Sequence, residues 1–491
     1  MIILNGGPNR NLREIVLFPF DDGSLPFQRG VRLQLLARRS TSEEGTRIVL
    51  PMGAEGAPDC QGVSFYGAVC RVGEELYMWY LGQGPGERTN QKICFARSSD
   101  GYQWEKPALG LVEHQGSRQN NLVDLGGGQY PVTALTVLHD VEDTDPQRRF
   151  KMVFETHRRK NPLSGRAEFN VAFSADGLRW IECPVTPPDL SCEMSGIARI
   201  GDCYYVTAQS GGGHFGPPRK LETFVSYDFE HWCEADCLGF MRGNIPPRPM
   251  VYDQHAGEQV HLGAGLWNRG NVIIGVYGQW HGHPTNDRRQ VSIDLGLVVA
   301  NDGLHYREPI PDFRLIAASE DGSGPYAQGR PVVGYPSLEQ GQGFENIGEE
   351  TLYWYGAWSA RDGVRVASWG RDRLGYFEAC NTGKLRSLQD AHFVSAPINL
   401  EDKPARVYLN VGGLSEHTQV QAEILTERFE PLPGYSRGMC LAPTSSGFRQ
   451  PVRWQAGEVV SHRHGRVRLR VYFGGLRPED ARIYAAYLEE A

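Results

Sequence analysis

The sequence predicts an all-β protein, a five-bladed β-propeller followed by a C-terminal β-sandwich, and a repeated hairpin is the main reason. Each copy follows an apolar alternating segment and carries Asp-Gly or an equivalent pair, the residues that tight hairpins need. An aromatic residue then begins the next strand, where it can pack on a pleated surface. The copies occupy residues 98–104, 174–180, 226–232 and 300–306, with a degenerate fifth at 367–376. Five repeats of one hairpin indicate five blades around a hub.

Composition supports the same fold class and limits the function. The chain has 491 residues with 59 glycines, 31 prolines and 10% aromatic residues, and it shows no long helical period, which is typical of strands and turns. The net charge of −8 argues against a nucleic-acid or anionic-membrane partner, and no apolar run is long enough to span a bilayer. Ten cysteines without a CxxC pair favour free thiols, and the N-terminus lacks the pattern of a secretory signal. We therefore expect a cytoplasmic protein, and its oligomeric state stays open.

The order of the elements divides the chain into three segments. Residues 1–50 are predicted to be an extended segment that packs on the propeller, residues 51–382 the propeller and residues 383–491 the sandwich. Each blade begins with an inner strand and a second strand of ordinary length. The predicted pairs are 63–70 and 76–81, 132–139 and 149–155, 196–200 and 203–209, 259–267 and 272–280, and 340–346 and 351–358. Later short strands at 406–411, 420–425, 467–473 and 483–487 predict the sandwich.

The strand order also sorts the polar residues between the two ends of the hub. The start of an inner strand and the end of the second strand share one end, because antiparallel neighbours reverse direction. Two acids that precede inner strands, Asp59 and Glu193, are predicted to lie at this near end. Glu345, on the inner strand of blade five, is predicted to lie there as well. The ends of the second strands, and the fifth inner strand, supply candidate substrate-binding residues: His157, Arg158, Gln209, Trp280, His281, Gln342 and Trp358. The acidic turn 140–145 and the turn 268–270 are predicted to lie at the opposite end, the first of them solvated.

Carboxylates, amides and indoles around one funnel favour sugar chemistry. Two carboxylates across a cleft can cleave a glycosidic bond, one as acid and the other as base or nucleophile, at about 5–10 Å separation. Several candidates also have structural interpretations. Asp59 could form a turn, Glu345 could anchor blade closure, and Trp280 and His281 could belong to the core. The segment 157–160 could be a solvated loop or an anion site.

Motifs of other common reaction types are absent from the sequence. The sequence contains no Walker loop, no GxSxG elbow, no HExxH motif and no cysteine–histidine spacing suited to zinc. We therefore predict no metal ligand and no cofactor, although a cation at the hub would be compatible with the residues.

Several phrases resemble the five-bladed propeller glycoside hydrolases, the group of invertase-, arabinanase- and xylosidase-like enzymes, and most closely a bacterial invertase-like branch. The phrases are Phe65-Tyr-Gly-Ala-Val69, Met78-Trp-Tyr80, Trp104-Glu-Lys-Pro107, Gly263-Ala-Gly-Leu-Trp-Asn-Arg-Gly-Asn271, Tyr277-Gly-Gln-Trp-His281 and Gln342-Gly-Phe-Glu-Asn-Ile347. The resemblance implies that Asp59 is nucleophile or base and that Glu193 is the acid. The entry motif of invertases is missing, and blade two has no acid beside residues 129–131, with Asp124 the nearest.

These observations together predict an exo-acting glycoside hydrolase for a furanoside or a related small glycoside. Glu193 is assigned as general acid and Asp59 as nucleophile or base. Glu345 and His281 are assigned as auxiliary groups, with the two tryptophans 280 and 358 as a sugar platform. Two alternatives stay open: a glycoside phosphorylase that holds phosphate with residues 157–159, and a carbohydrate-binding propeller without catalysis. In each case the partner is a carbohydrate.

Overall fold

The computed structural model describes residues 1–38, 48–85, 91–128, 130–160, 167–185, 193–210, 218–242, 255–318, 336–358, 360–381, 387–461 and 465–491. Their regular structure is β-strand with isolated 3-10 turns, so the all-β prediction is confirmed. The 3-10 turns are Gly126–Gly128, Pro146–Arg148, Arg288–Gln290, Leu388–Asp390, Arg437–Met439 and Pro478–Asp480. No helix in these ranges is long and apolar enough to cross a membrane.

Five antiparallel groups of strands follow one another along the chain, and each is called a sheet here and named by its number, although parallel pairing of Gln342 with Ala68 joins the first and the fifth. Sheet one has strands Gly62–Val72, Glu75–Gln83 and Lys92–Ser98. Sheet two has Val132–His139, Phe150–Lys160, Ala167–Ser174 and Arg179–Glu182, with Asp124–Leu125 added in parallel. Sheet three has Glu193–Ile200, Cys203–Ser210, Lys220–Ser226 and Cys237–Phe240. Sheet four has Gly257–Asn268, Ile273–Gly282, Ser292–Ala300 and Arg314–Ile316. Sheet five has Leu338–Ile347, Glu350–Ala357, Gly363–Gly370 and, from the N-terminal part of the chain, Ile48–Pro51.

The repeated hairpins are held by their own side chains. In the first copy, the Asp100 carboxylate accepts hydrogen bonds of 2.8 Å from the backbone N–H groups of Tyr102 and Gln103. The Ser98 hydroxyl accepts another, also 2.8 Å long, from the N–H of Gly101. The carboxylates of the next three copies accept the same pair of backbone bonds. The repeat is therefore a structural motif, because these bonds satisfy the turn locally.

The first strand of each sheet, called here the inner strand, contacts the inner strands of the sheets before and after it, and sheet five contacts sheet one. Glycines permit this close approach. A Cβ on Gly196 would lie 2.1 Å from the carbonyl oxygen of Ala264, and one on Gly265 would lie 2.2 Å from that of Gly341. The inner strands therefore enclose a narrow hub.

Two further sheets pack face to face around a cluster of buried aliphatic side chains that includes Leu409, Ile424 and Leu469. The first contains Ile2–Ile3, Phe27–Arg29, His392–Val394, Ile398–Asn399, Thr418–Thr426 and Arg466–Gly475. The second contains Glu14–Leu17, Val31–Leu35, Gly375–Ala379, Ala405–Gly412, Cys440–Leu441, Gly447–Trp454, Val459–Val460 and Arg482–Glu490. The N-terminal strands thus pair with the C-terminal ones, although Val16, Phe18 and Phe20 also pack against sheets four and five. The division at residues 50 and 382 stays a prediction.

Candidate functional site

A cavity of about 350 Å³ lies at the end of the hub where the inner strands begin, and we call it the hub cavity. It collects side chains from all five sheets or from the residues beside them. Among these are Tyr66, Thr133, Glu155, Glu193, Gln209, Arg219, His261, Trp280, Arg288, Trp358 and Arg361. Of the residues singled out from the sequence, the structure therefore brings four together here, Glu193, Gln209, Trp280 and Trp358.

Glu193 is held at the start of its strand by a neighbouring amide. Gln209 is its register partner on the second strand, and the Gln209 side-chain NH₂ donates a 3.0 Å hydrogen bond to the Glu193 carboxylate. The other end of the same amide accepts a 3.0 Å bond from the backbone N–H of Leu262 in sheet four. Because both ends of the Gln209 side chain are engaged, it positions Glu193 in the cavity, a different role from the predicted direct contact with substrate.

Glu155 is a second carboxylate in the hub cavity, and it is not among the site residues predicted from the sequence. It is buried, and its carboxylate accepts a 2.6 Å hydrogen bond from the hydroxyl of Thr133 on the adjoining inner strand. It lies in the middle of the second strand of sheet two, Phe150–Lys160, opposite Ala134, whereas Gln209 is the next-to-last residue of its strand. No local signal in the sequence could have identified it, because a position within a strand does not show which side chains reach the cavity.

Guanidinium groups cover the aromatic rings of the cavity. The Arg219 guanidinium carbon lies 4.0 Å from the centroid of Trp280, and that of Arg288 lies 5.2 Å from Trp358. Trp280 is fully buried, so the prediction that it forms an open sugar platform is wrong. Burial, and then the charges of Arg219 and Arg288, hold the pKa of His261 well below its usual range. His261 is therefore neutral in the hub cavity.

Three side chains of the cavity bury polar atoms that have no hydrogen-bond partner within the described residues: the Tyr66 hydroxyl, the Gln91 NH₂ and His261 Nδ1. Tyr66 and Gln91 are each 8% exposed, and His261 is 5% exposed. An unpaired buried polar group costs about 1–3 kcal/mol, so such groups are retained where something polar can meet them. Their arrangement is suited to a ligand rich in hydroxyl or other oxygen groups.

A third carboxyl group, Glu339, lies behind the cavity and was also not predicted. It is fully buried and accepts hydrogen bonds of 2.8 Å from the hydroxyl of Ser64 and the N–H of Phe65, which join sheets five and one. Gly356 faces it, where a Cβ would lie 2.5 Å from its carboxylate. Burial raises the pKa of Glu339, which favours the protonated form of this group.

Asp59 lies elsewhere, which corrects the predicted pairing with Glu193. It lines a separate cavity of about 530 Å³ formed by residues 53–59 and 114–121. One carboxylate oxygen accepts bonds from the hydroxyl of Tyr80 at 2.8 Å and from the ammonium of Lys106 at 2.5 Å. The loop before sheet one is thus held against the second strand of that sheet and against the segment that follows the first repeated hairpin, because the buried carboxylate needs these partners.

Glu345 and Gln342 also differ from their predicted roles. Glu345 lies at the opposite end of its strand, 3.5 Å from the guanidinium of Arg71, where it joins sheets five and one as in the structural alternative. Burial raises its pKa. The amide of Gln342 accepts a 2.6 Å bond from the N–H of Ile197 and donates a 3.1 Å bond to the carbonyl of Val137. It therefore cross-links three inner strands.

His281 belongs to a buried ionic cluster of sheet four. Its Nδ1 lies 2.7 Å from the Glu258 carboxylate, and its Nε2 lies 3.0 Å from that of Asp294. Burial opposes its protonation, but the bonds to Asp294 and Glu258 outweigh burial and raise its pKa. Glu258, His281 and Asp312 are close enough to share a cation, yet Arg242 already bridges the two carboxylates Glu258 and Asp312.

The opposite end of the hub carries the turn that follows sheet two's inner strand, as the strand order predicted. Asp140 is not solvated there. It is buried and paired with Lys151 at 3.3 Å and with Arg199 at 2.6 Å, and it accepts a 2.6 Å bond from the hydroxyl of Tyr204. The side chains of His157 and Arg158 lie outside the described residues.

Comparison with known proteins gives no family model and no curated protein that matches the chain. Solved structures that resemble it include a glycosyl hydrolase from Bacteroides ovatus, at 16% identity and a TM-score of 0.42 over 71% of this chain and 95% of that one. A structure from the GH130 family of mannoside phosphorylases, which contains glycoside hydrolases that target β-1,2-mannosidic linkages, has 15% identity and a TM-score of 0.44 over 69% and 94%. An N-acetylgalactosamine deacetylase from F. plautii has 12% identity and a TM-score of 0.42 over 68% and 94%. Likenesses of this size do not assign a reaction.

Proposed function

We propose that the five sheets are the blades of a five-bladed β-propeller and that the chain is a glycosidase acting in the hub cavity. The observation that carries the proposal is the presence of two tethered carboxylates, Glu193 and Glu155, in one cavity. Glycosidic cleavage needs such a pair. Glu193 is partly exposed, which lets it reach a glycosidic oxygen as general acid. Glu155, fixed by Thr133, takes the role of base or nucleophile that the sequence analysis gave to Asp59.

The closed hub supports exo action on a small glycoside, with a furanoside still the proposed substrate. Beneath the cavity, the amide of Gln340 donates to the carbonyl oxygens of His261 and Leu262. Together with the cross-links of Gln342, these bonds connect the inner strands across the hub. A substrate entering from the cavity end would then reach the carboxylates with its terminal sugar only.

Phosphorolysis is the second candidate, and the arginines of the cavity favour it. Arg219, Arg288 and Arg361 present three guanidinium groups beside two carboxylates. Guanidinium groups bind phosphate in bidentate fashion, so they could hold inorganic phosphate as the nucleophile in place of water. This set replaces residues 157–159 as the proposed phosphate site.

The test is a panel of aryl furanosides and pyranosides, assayed for release of the aryl group with and without inorganic phosphate. We expect Glu193→Gln to lower turnover at least ~100-fold, since a positioned general acid contributes about 10²–10⁴. Its melting temperature should change little. Glu345→Gln is the matched control, because it alters a carboxylate on an inner strand at the other end of the hub, and it should retain turnover. Activity that survives in Glu193→Gln but not in Glu345→Gln would contradict the assignment.

The remaining alternative, a propeller that binds sugar without catalysis, would show as binding without turnover on every substrate. The cytoplasmic location also stays a proposal, in keeping with the free state of all nine cysteines in the described ranges.

A further inference from the structure

Two of the repeated hairpins carry an aspartate–histidine pair at the same spacing. In the third copy, Nδ1 of His231 lies 2.7 Å from the Asp228 carboxylate, and in the fourth, Nδ1 of His305 lies 2.6 Å from that of Asp302. The other oxygen of Asp302 accepts 2.9 Å bonds from the N–H groups of Leu304 and His305, which fixes the carboxylate. When the N–H group at Nδ1 of His305 donates its hydrogen bond to Asp302, the proton stays on Nδ1 and Nε2 carries a lone pair that can accept a proton.

Among the described residues, only the fourth copy brings the Nε2 atom of such a histidine next to a thiol. The Sγ atom of Cys237 lies 3.6 Å from Nε2 of His305. The contact results from the seam between sheets three and four, where the N–H of Tyr306 donates a 2.8 Å bond to the carbonyl of Gly239, two residues after the cysteine. Cys237 is partly exposed and His305 is exposed, so a small molecule can reach both.

We propose that Cys237, His305 and Asp302 form a nucleophilic site for small disulfides, separate from the hub cavity. The arrangement has the order of a nucleophile, a base and a group that orients the base. In the proposed step the Cys237 sulfur attacks one sulfur of the disulfide while its proton passes to Nε2 of His305. The S–S bond of the reagent breaks, a mixed disulfide forms on Cys237, the departing thiolate keeps the electron pair of that bond, and His305 releases its proton to water. Asp302 stabilises the imidazolium that His305 becomes while it holds the proton.

The base is needed because the thiol is not activated by its surroundings. Burial, and then the charges of Asp302 and Asp236, raise the pKa of Cys237, so little thiolate is present at neutral pH. Without His305, Cys237 should react more slowly than an exposed thiol. Cys233, which is exposed and next to the third hairpin, provides the internal comparison.

The experiment treats the full chain with a limiting amount of dithiobis(nitrobenzoate) and locates the mixed disulfides by peptide mass spectrometry. We expect Cys237 to be modified at least about tenfold faster than Cys233, because general-base assistance of about 10²–10⁴-fold outweighs its smaller fraction of thiolate. His305→Gln should reduce the rate at Cys237 below that at Cys233 and leave Cys233 unchanged. His231→Gln is the matched control, because it removes the equivalent histidine of the third copy, which has no thiol beside its Nε2. It should alter neither the rate at Cys237 nor the rate at Cys233.

Two results would overturn the proposal. One is a wild-type protein in which Cys237 reacts no faster than Cys233, a comparison that needs no variant to fold. The other is an equal loss at Cys237 in His305→Gln and His231→Gln. Melting temperatures of both variants establish whether the hairpins remain intact.

Discussion

Replacing Gln342 by Met tests the structural role that the hub assigns to this amide. The substitution keeps the length of the side chain and removes its polar atoms. Gln342 is only 8% exposed, and its amide satisfies the N–H of Ile197 at 2.6 Å and the carbonyl of Val137 at 3.1 Å. Each backbone group left unpaired in the interior costs about 1–3 kcal/mol, so the loss should total about 2–6 kcal/mol.

Thermal unfolding, followed by circular dichroism, measures the effect against Gln103→Met, a substitution at an exposed position of the first hairpin. For domains of 150–250 residues, each kcal/mol corresponds to about 2–4 °C, so Gln342→Met should melt several degrees below the control. At temperatures where the variant is folded, its KM for any substrate should be close to that of the wild type. Equal melting temperatures for the two variants, or a raised KM with normal stability, would refute the cross-linking role and restore the predicted contact with substrate.

Two further predictions concern buried ionic groups. Asp140→Asn should lower the free energy of unfolding by about 2–3 kcal/mol. This is somewhat below the usual cost of breaking a buried ion pair, because Asp143 still pairs with Lys151. Chemical denaturation measures the loss, and an unchanged midpoint would mean that the ion pairs of Asp140 add no stability. The pKa of His281 is raised in the folded state, so its contribution to stability is complete below its unfolded pKa of about 6.5 and is lost as pH rises through the folded pKa. Melting temperatures measured across this pH window should fall for the wild type and stay flatter for His281→Gln, and parallel profiles would contradict the assignment.

The site could be predicted from the sequence as far as strand direction determines it. Glu193 and Gln209 face each other because one begins an inner strand and the other ends its antiparallel neighbour. Strand direction also places Asp140 correctly, at the opposite end. It failed for Asp59, which stands in a loop before its strand, where the path of the chain depends on Tyr80 and Lys106.

Long-range contacts decided the remaining features. Glu155 and Glu339 occupy ordinary strand positions, and only the closed arrangement of five sheets shows that one lines the hub cavity and the other lies behind it. Likewise, no local pattern predicts that guanidinium groups cover Trp280 and Trp358.

The sequence by itself determined the all-β class, the positions of the hairpins and the end of the hub at which Glu193 lies. These features depend on bonds within a few residues, such as those from Asp100 to its own turn, or on the alternation of a single strand. The tertiary structure alone decided which carboxylates share a cavity and that the N-terminal strands pair with the C-terminal sheets. These features depend on pairing between groups that are far apart in the sequence. A buried charge or an unpaired strand edge needs a partner, and only the folded chain determines which group is near enough to supply it.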